Sequence, residues 1–291
     1  MGAAVSQSYS EHQSNKNNLG YKAYIAYPND LVEFDLHTIT INQNFNPEMG
    51  FLRRKDYRLY YSNLVLKPRP VFIPFIKNFE IIPIETASYF TDHNHKLESM
   101  EMEFRPFGAE FKSGDNVEFN IQRFFDRLNE DFEILDEVEI PEDNYWFTRF
   151  EVGLESFEGR QVFTEIQYSW GDFYTGKRQE LEAALGWNIH RKLNISVDWE
   201  HNYIQLDNED FYTDEIGSRV EYAFNPNLNS SVFGQWNNED DEVLLNYRIN
   251  WLPAPGSYFY FVVNQKLSTQ DNSIALLTTT VILKLIWRFS F

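Results

Sequence analysis

The chain has 291 residues with 44 acidic and 25 basic side chains, so its formal net charge is -19. This surplus of negative charge repels phosphate backbones and argues against nucleic-acid binding. Cysteine is absent, which excludes disulfides, thiolate zinc sites and thiol nucleophiles. Aromatic residues make up 17% of the chain. No window approaches the roughly 20 apolar residues of a spanning helix, so a helical membrane protein is excluded and a β-barrel is still compatible.

Residues 1–19 are polar and lack the basic and apolar regions of a secretory signal, so we expect a poorly ordered segment there. From Gly20 onward apolar and polar residues alternate at a period of two, which predicts one β-domain over 20–291. The alternation is clearest over 181–189, 193–200, 219–224, 246–251 and 275–291.

The predicted connections alternate between short and long. Short ones lie at 28–30, 67–70, 158–160, 190–192, 225–227 and 253–257. Long ones lie at 42–56, 91–96, 126–144, 171–179, 206–215, 237–242 and 266–273, and the segment 105–116 is long where a short turn is due. A soluble sandwich also alternates, but strands of about ten residues, aromatic strand ends and segregated loop lengths favour an antiparallel transmembrane β-barrel.

The strand count suggests a part of a larger barrel. About 14–16 strands can be placed, and bacterial single-chain barrels use even numbers. A first strand at 20–27 would run downward without a partner, so we expect the C-terminal portion of a larger barrel. The alternative is a barrel of about fourteen strands that closes between 31–41 and the last strand, with 20–27 as a tail.

Four segments are distinctive: NFNPEMGFLRRKDYR at 44–58, YSWGDFYTGKR at 168–178, EYAFNPNLNSSVFGQWN at 221–237 and NYRINWLPAPGSYFYFVVNQ at 246–265. Together they resemble a Gram-negative outer-membrane β-barrel family of unknown function, whose members often carry an N-terminal module similar to family-nine carbohydrate-binding domains. The resemblance covers most of the chain from about Asn44. It implies an outer-membrane location and glycan or nutrient handling; the N-terminal module and upstream strands of the family have no counterpart in this sequence.

If the apolar faces meet lipid, the alternate ionised side chains point into the lumen. These candidates are Arg149, Glu151, Glu165, Glu182, Asp198, Arg219, Glu221, Arg248, Lys284 and Arg288. They could pair across strands and fill the lumen, or line a water-filled pore. On the lipid face each Arg or Lys at midplane would cost ~2–4 kcal/mol.

Two aromatic groups are further candidates. Trp170, Phe173 and Tyr174, near a predicted outer loop, could stack on sugar rings, or pack that loop over the barrel mouth. Trp287, Phe289 and Phe291 resemble the C-terminal signal that barrel assembly machinery recognises.

The sequence contains no recognisable catalytic constellation, cofactor motif or metal-ligand spacing, and its acidic loops do not match a calcium-binding loop. The predicted function is therefore non-enzymatic passage or uptake of a small solute, such as a saccharide, with outer-membrane lipid and the assembly machinery as partners. The alternative is a surface-exposed binding or structural barrel with a packed lumen, whose loops hold a glycan or protein partner. A soluble β-sandwich enzyme is the third hypothesis.

Overall fold

The computed structural model describes residues 1–9, 16–47, 50–135, 138–207, 209–270 and 273–289. In these ranges the chain forms 19 β-strands and no α-helix. Across the same residues, no helical stretch has the length and apolar character needed to span a membrane. The prediction of a large all-β antiparallel fold is confirmed.

Seventeen strands belong to one large sheet, and the short strands β9 and β10 pair separately. The strands are β1 (Gly2–Gln7), β2 (Leu19–Tyr27), β3 (Val32–Ile41), β4 (Tyr57–Leu66), β5 (Ile76–Phe79), β6 (Ile81–Thr91), β7 (Leu97–Phe111), β8 (Asn116–Arg127), β9 (Phe132–Leu135), β10 (Val138–Ile140), β11 (Asn144–Glu155), β12 (Val162–Phe173), β13 (Gly176–His190), β14 (Leu193–Gln205), β15 (Asp210–Asn225), β16 (Leu228–Asn237), β17 (Glu242–Ala254), β18 (Ser257–Ser268) and β19 (Ala275–Ile286).

Several segments predicted as irregular are strands. The polar segment 1–19 contains β1, whose six residues pair with β2. The predicted loops at 171–179 and 206–215 are largely strand, because β12, β13 and β15 continue through them. Backbone ladders hold these segments, and their mostly polar side chains gave no apolar signal in the sequence.

Prolines within the strands coincide with interruptions of the ladder. Pro83, Pro106 and Pro253 each lie within a register shift of their strand pair. Proline has no N–H to donate, so a sheet tolerates it at a bulge. Because β7 continues past Pro106, the predicted connection at 105–116 is reduced to a turn at 112–115.

The described chain divides into two compact units. The first unit comprises Met1–Val152, Ser169–Arg178 and Gln205–Glu209, and the second unit comprises Gly153–Tyr168, Gln179–Ile204 and Asp210–Phe291. They differ in the apolar side chains that they bury. Of the buried hydrophobic residues in the described ranges, all but Ile204 belong to the first unit.

In the first unit, β2, β3, β4, β6, β7 and β8 form an antiparallel meander, with β1 paired to β2 and β5 paired to β7. A small core lies near the start of β2, where Ile41, Phe45 and Leu59 are buried. Gly20 fits closely against it, since an added Cβ would lie 3.1 Å from the Ile41 side chain and 3.3 Å from that of Phe45.

In the second unit, β15 to β19 form a meander whose register sorts side chains onto two faces. One row across all five strands consists of Val220, Val232, Tyr247, Val263 and Val281. Directly paired residues of antiparallel strands share a face. This row and the next row toward the C-terminal end of β19 therefore make one surface, which we call the apolar band.

The next row toward the C-terminal end of β19 has the same character. It consists of Tyr222, Ser230, Ile249, Phe261 and Leu283. Within the second unit no described residue covers the band: Tyr247 is 37% exposed and Val281 59%. Trp187, in β13, is likewise 46% exposed. These side chains are not buried between two stacked sheets, which is where a soluble sandwich would place them.

Candidate functional site

Short turns at 191–192, 226–227 and 255–256 close successive hairpins of the second unit at one end. Proline opens the last two turns, and its fixed φ suits the second position of a turn. Gly256 has a φ of +82°, which a type II turn requires at its third position and which glycine adopts without strain. The backbone N–H of Asn227 donates to Asn225 Oδ1 at 2.9 Å, as in an Asx turn.

Beside these turns the polar face contains a concave cavity of about 570 Å³, which we call the cationic cavity. Four of its lining residues are Lys or Arg, and only one is a carboxylate, Glu221. The cations are Arg191, Lys192, Arg219 and Arg248, with His190 beside them. The chain has a net charge of -19, so this cavity concentrates positive charge on a protein that is negatively charged as a whole.

Two of the cations are held by contacts that leave their charge intact. The Arg219 guanidinium lies 4.7 Å from the ring centroid of Phe233, its cross-strand partner, in a cation–π contact. Lys192 Nζ donates to the Phe224 carbonyl at 2.9 Å. Within the described chain, no carboxylate lies within ion-pairing distance of the three arginines of the cavity.

Four amides and one hydroxyl of the polar face make up much of the remaining lining: Asn188, Asn194, Asn229, Asn250 and Ser231. Asn194 Nδ2 donates to Asn188 Oδ1 at 2.8 Å, and Asn250 Nδ2 donates to Asn229 Oδ1 at 3.0 Å. Asn250 Oδ1 is buried and has no hydrogen-bond partner among the described residues. The lining therefore pairs fixed positive charge with neutral hydrogen-bonding groups.

A second cavity of the same unit has the opposite charge. It encloses about 190 Å³, and we call it the acidic cavity. Its carboxylates are Glu165, Glu182, Asp198, Glu200 and Glu215. A Cβ on Gly217 would lie 2.1 Å from Asp198 Oδ2, so this glycine leaves the space that the carboxylate occupies. Within the described ranges, no group of three or more His or acidic residues is arranged to hold a metal ion.

The two cavities are separated along one strand. Glu215 lines the acidic cavity and Arg219 the cationic one, and both lie in β15. Four residues of strand span roughly 13 Å. Of the predicted lumen-facing residues, Glu165, Glu182 and Asp198 thus line the acidic cavity, whereas Arg219 and Arg248 line the cationic cavity together with Glu221.

In the first unit the polar side chains of β7 and β8, together with Glu80, form an ion-pair network centred on Arg105. Its guanidinium lies 2.6 Å from Glu80, 2.8 Å from Glu118 and 3.4 Å from Glu103, and only 14% of its side chain is exposed. Arg105 Nε also donates to Asn120 Oδ1 at 2.7 Å. From the sequence, Arg105 was placed in a connection and was not a candidate, although Asn116, Glu118, Asn120 and Gln122 alternate along the following strand β8.

The two lumen-facing candidates of the first unit are hydrogen-bonded. Asn120 Nδ2 donates to Glu151 Oε1 at 2.7 Å and Gln122 Nε2 to Glu151 Oε2 at 3.3 Å. Glu151 is only 7% exposed, so these bonds tie it to the Arg105 network. Arg149 donates to the buried Ser169 hydroxyl.

The three predicted loop aromatics are engaged by other rings. Trp170 and Phe173 lie in β12, where Trp170 stacks on Phe150 at a centroid distance of 5.8 Å. The ring centroid of Tyr174 lies 4.9 Å from that of Phe173. The Tyr174 hydroxyl donates a hydrogen bond to Asp126 Oδ2 at 3.1 Å. Burial raises the pKa of Tyr174, and the Asp126 carboxylate raises it further. These contacts fit the packing alternative, and sugar stacking stays a prediction.

The C-terminal candidates are only partly described. Lys284 lies opposite Tyr260 in the β18–β19 ladder, on the polar face. The Arg288 backbone N–H donates to Ser257 Oγ at 3.0 Å. Trp287 and Phe289 follow β19 and are exposed, whereas Phe291 lies outside the described residues. Their role in barrel assembly stays a prediction.

No protein-family model matches the chain, and no curated protein matches it significantly in sequence. The functional argument therefore depends on the geometry of the two faces and the cavities.

Proposed function

We propose that the chain forms a β-barrel of a Gram-negative outer membrane and passes a small solute, such as a saccharide, without covalent chemistry. The observation that carries the proposal is the exposed apolar band of the second unit. Ile204 is the single hydrophobic residue that this unit buries among its described residues. A unit that folds in water depends on burying apolar surface, so a band left exposed on five strands calls for another apolar environment.

Hydrocarbon supplies such an environment, and strand length supports this choice. A tilted strand needs roughly 9–11 residues to cross a bilayer. The strands β13 and β15 have 15 and 16 residues, and β17 and β18 have 13 and 12. In lipid every backbone group needs a partner, so the sheet would close and enclose the polar face as a lumen.

The alternative, a binding or structural barrel with a packed lumen, is favoured by the first unit. The ion pairs and amide bonds around Arg105 compensate the charges of the polar face there and occupy part of it. Conductance in planar bilayers separates the two functions: a solute pathway gives stable single-channel steps, and a packed barrel inserts but stays silent.

The membrane location is tested by two adjacent positions on opposite faces. Val281 pairs with Val263 in the apolar band, and Thr280 pairs with Asn264 on the polar face. Both side chains are exposed, so in water Lys at either position should change the free energy of unfolding little. In lipid, we expect Val281→Lys to cost ~2–4 kcal/mol and Thr280→Lys to cost little.

The measurement is reversible denaturant unfolding of the two variants and the wild type, reconstituted in phospholipid vesicles. Equal and small effects of the two substitutions in vesicles would overturn the membrane location. Retention of the wild-type chain in aqueous buffer as a folded monomer without detergent would do the same.

A further inference from the structure

We propose that the cationic cavity of the second unit binds a hydroxylated organic anion, namely a soluble sugar that carries a carboxylate or a phosphate. The inference gives the proposed solute a chemical class. Binding to the cavity can be measured in a chain that conducts nothing, so only the identification of the ligand as the passing solute rests on the proposed function. It is carried by the charge, the neutral lining and the size of the cavity.

The charge of the cavity selects an anion. Arg191, Arg219 and Arg248 have no carboxylate within ion-pairing distance among the described residues, while Glu221 is the one acid of the lining. A planar guanidinium presents paired N–H donors that match the two oxygens of a carboxylate or phosphate. The arginines of this cavity are thus available for an anionic ligand, unlike Arg105 of the first unit.

The neutral lining selects a ligand with hydroxyl groups. Four asparagines and Ser231 surround the cations, and Asn250 Oδ1 is an acceptor without a partner in the described chain. A hydroxyl both donates and accepts hydrogen bonds, so it suits amides better than an inorganic anion does. The volume of about 570 Å³ is in the range of small-molecule sites, roughly 300–1,000 Å³.

The position of the cavity indicates a soluble ligand. Arg219, Glu221 and Arg248 lie on the face opposite the apolar band. A phosphate anchored to lipid would approach from the side of the band and would meet apolar side chains first. We therefore assign the cavity to a free sugar acid or sugar phosphate.

The test is equilibrium binding to the full chain purified in detergent, measured by isothermal titration calorimetry. The probes are D-glucuronate, D-glucose 6-phosphate and uncharged D-glucose. We expect the two anions to bind and glucose to bind at least tenfold more weakly, because the charge-assisted hydrogen bonds are lost. Equal affinity for glucose and glucuronate, or no binding of either anion, would overturn the proposal.

Arg248→Gln should weaken glucuronate binding on the order of tenfold. Arg248→Lys, which keeps the charge but loses the paired donors, should weaken it less. Lys266→Gln is the matched control, because it removes one cation whose Nζ lies 2.6 Å from Glu242. Lys266 does not line the cavity. Equal effects of Arg248→Gln and Lys266→Gln would show only a change in net charge and would contradict the proposed site.

A second variant separates loss of ligand binding from loss of folding. Arg191 is exposed in the turn at 191–192, so Arg191→Gln should leave the circular dichroism spectrum unchanged and still weaken binding several-fold. Unchanged affinity in folded Arg191→Gln and Arg248→Gln proteins would overturn the site.

Bilayer measurements separate this inference from the proposed function. Conductance without binding of either anion overturns the anion site and leaves the passage of solute in place. Binding that depends on Arg248 in a chain that is silent in bilayers supports the anion site and overturns the passage.

Discussion

The polar faces of the two units use arginine in opposite ways. In the first unit Arg105 is almost enclosed and contacts three carboxylates within 3.4 Å. In the second unit Arg248 is exposed and lines a cavity, with no ion-pair partner among the described residues. The first arrangement compensates charge inside the protein, whereas the second leaves charge for a ligand.

This difference shows which ionised residues of a polar face hold the structure and which can act on a solute. An enclosed pair costs desolvation, and removal of one partner leaves the other charge uncompensated. An exposed, unpaired cation contributes little to folding and interacts freely with anions in solution. Substitution at the two kinds of site should therefore separate stability from ligand binding.

The largest effect is expected for Arg105→Met. The substitution keeps a long aliphatic side chain but leaves Glu80, Glu103 and Glu118 without their shared cation. We expect a loss of ~3–5 kcal/mol in the free energy of unfolding, measured by urea denaturation in detergent. The matched Arg248→Met should cost no more than ~0.5 kcal/mol. Equal losses in the two variants would remove the distinction between structural and available arginines.

A glycine pair should give the next largest difference. Gly171 in the first unit has a φ of +152°, and an added Cβ would lie 2.2 Å from the Thr148 carbonyl oxygen. Gly171→Ala should therefore cost ~3 kcal/mol, because the obstacle is backbone. In the second unit a Cβ on Gly234 would meet only side-chain atoms, those of Leu245 at 3.2 Å and Ser218 at 3.7 Å. Gly234→Ala should cost less than ~1 kcal/mol by the same denaturation assay, and the reverse order would contradict this account.

The two faces of the second unit could be predicted from the sequence because β-strands alternate strictly. A period of two placed Arg219, Glu221, Arg248 and Lys284 on one side, and the register of β15 to β19 brings those positions onto the same face. Alternation within a single strand assigns its side chains to two faces, so neither the turns nor the neighbouring strands had to be known.

The cavities and the Arg105 network could not be predicted in the same way. Arg191 belongs to a predicted turn, and its proximity to Arg248 depends on how distant hairpins align. Arg105 was assigned to a connection at 105–116, whereas the bulge in the β7–β8 ladder accommodates Pro106 and allows the strand to continue. Register and bulges depend on pairs of strands, which alternation within a single strand does not define.

The acidic cavity of the second unit should give the smallest effect, with the opposite sign. Five carboxylates line about 190 Å³, and their mutual repulsion opposes folding. The double substitution Asp198→Asn, Glu215→Gln should therefore stabilise the protein by ~0.5 kcal/mol at low salt. The gain should disappear near 1 M salt, where the Debye length is only ~3 Å. Denaturation at both salt concentrations checks this, and a gain that persists at high salt would point to altered packing rather than relieved repulsion. Glucuronate affinity should change little in the same variant, since Glu215 lies roughly 13 Å along β15 from Arg219 and screening weakens their coupling.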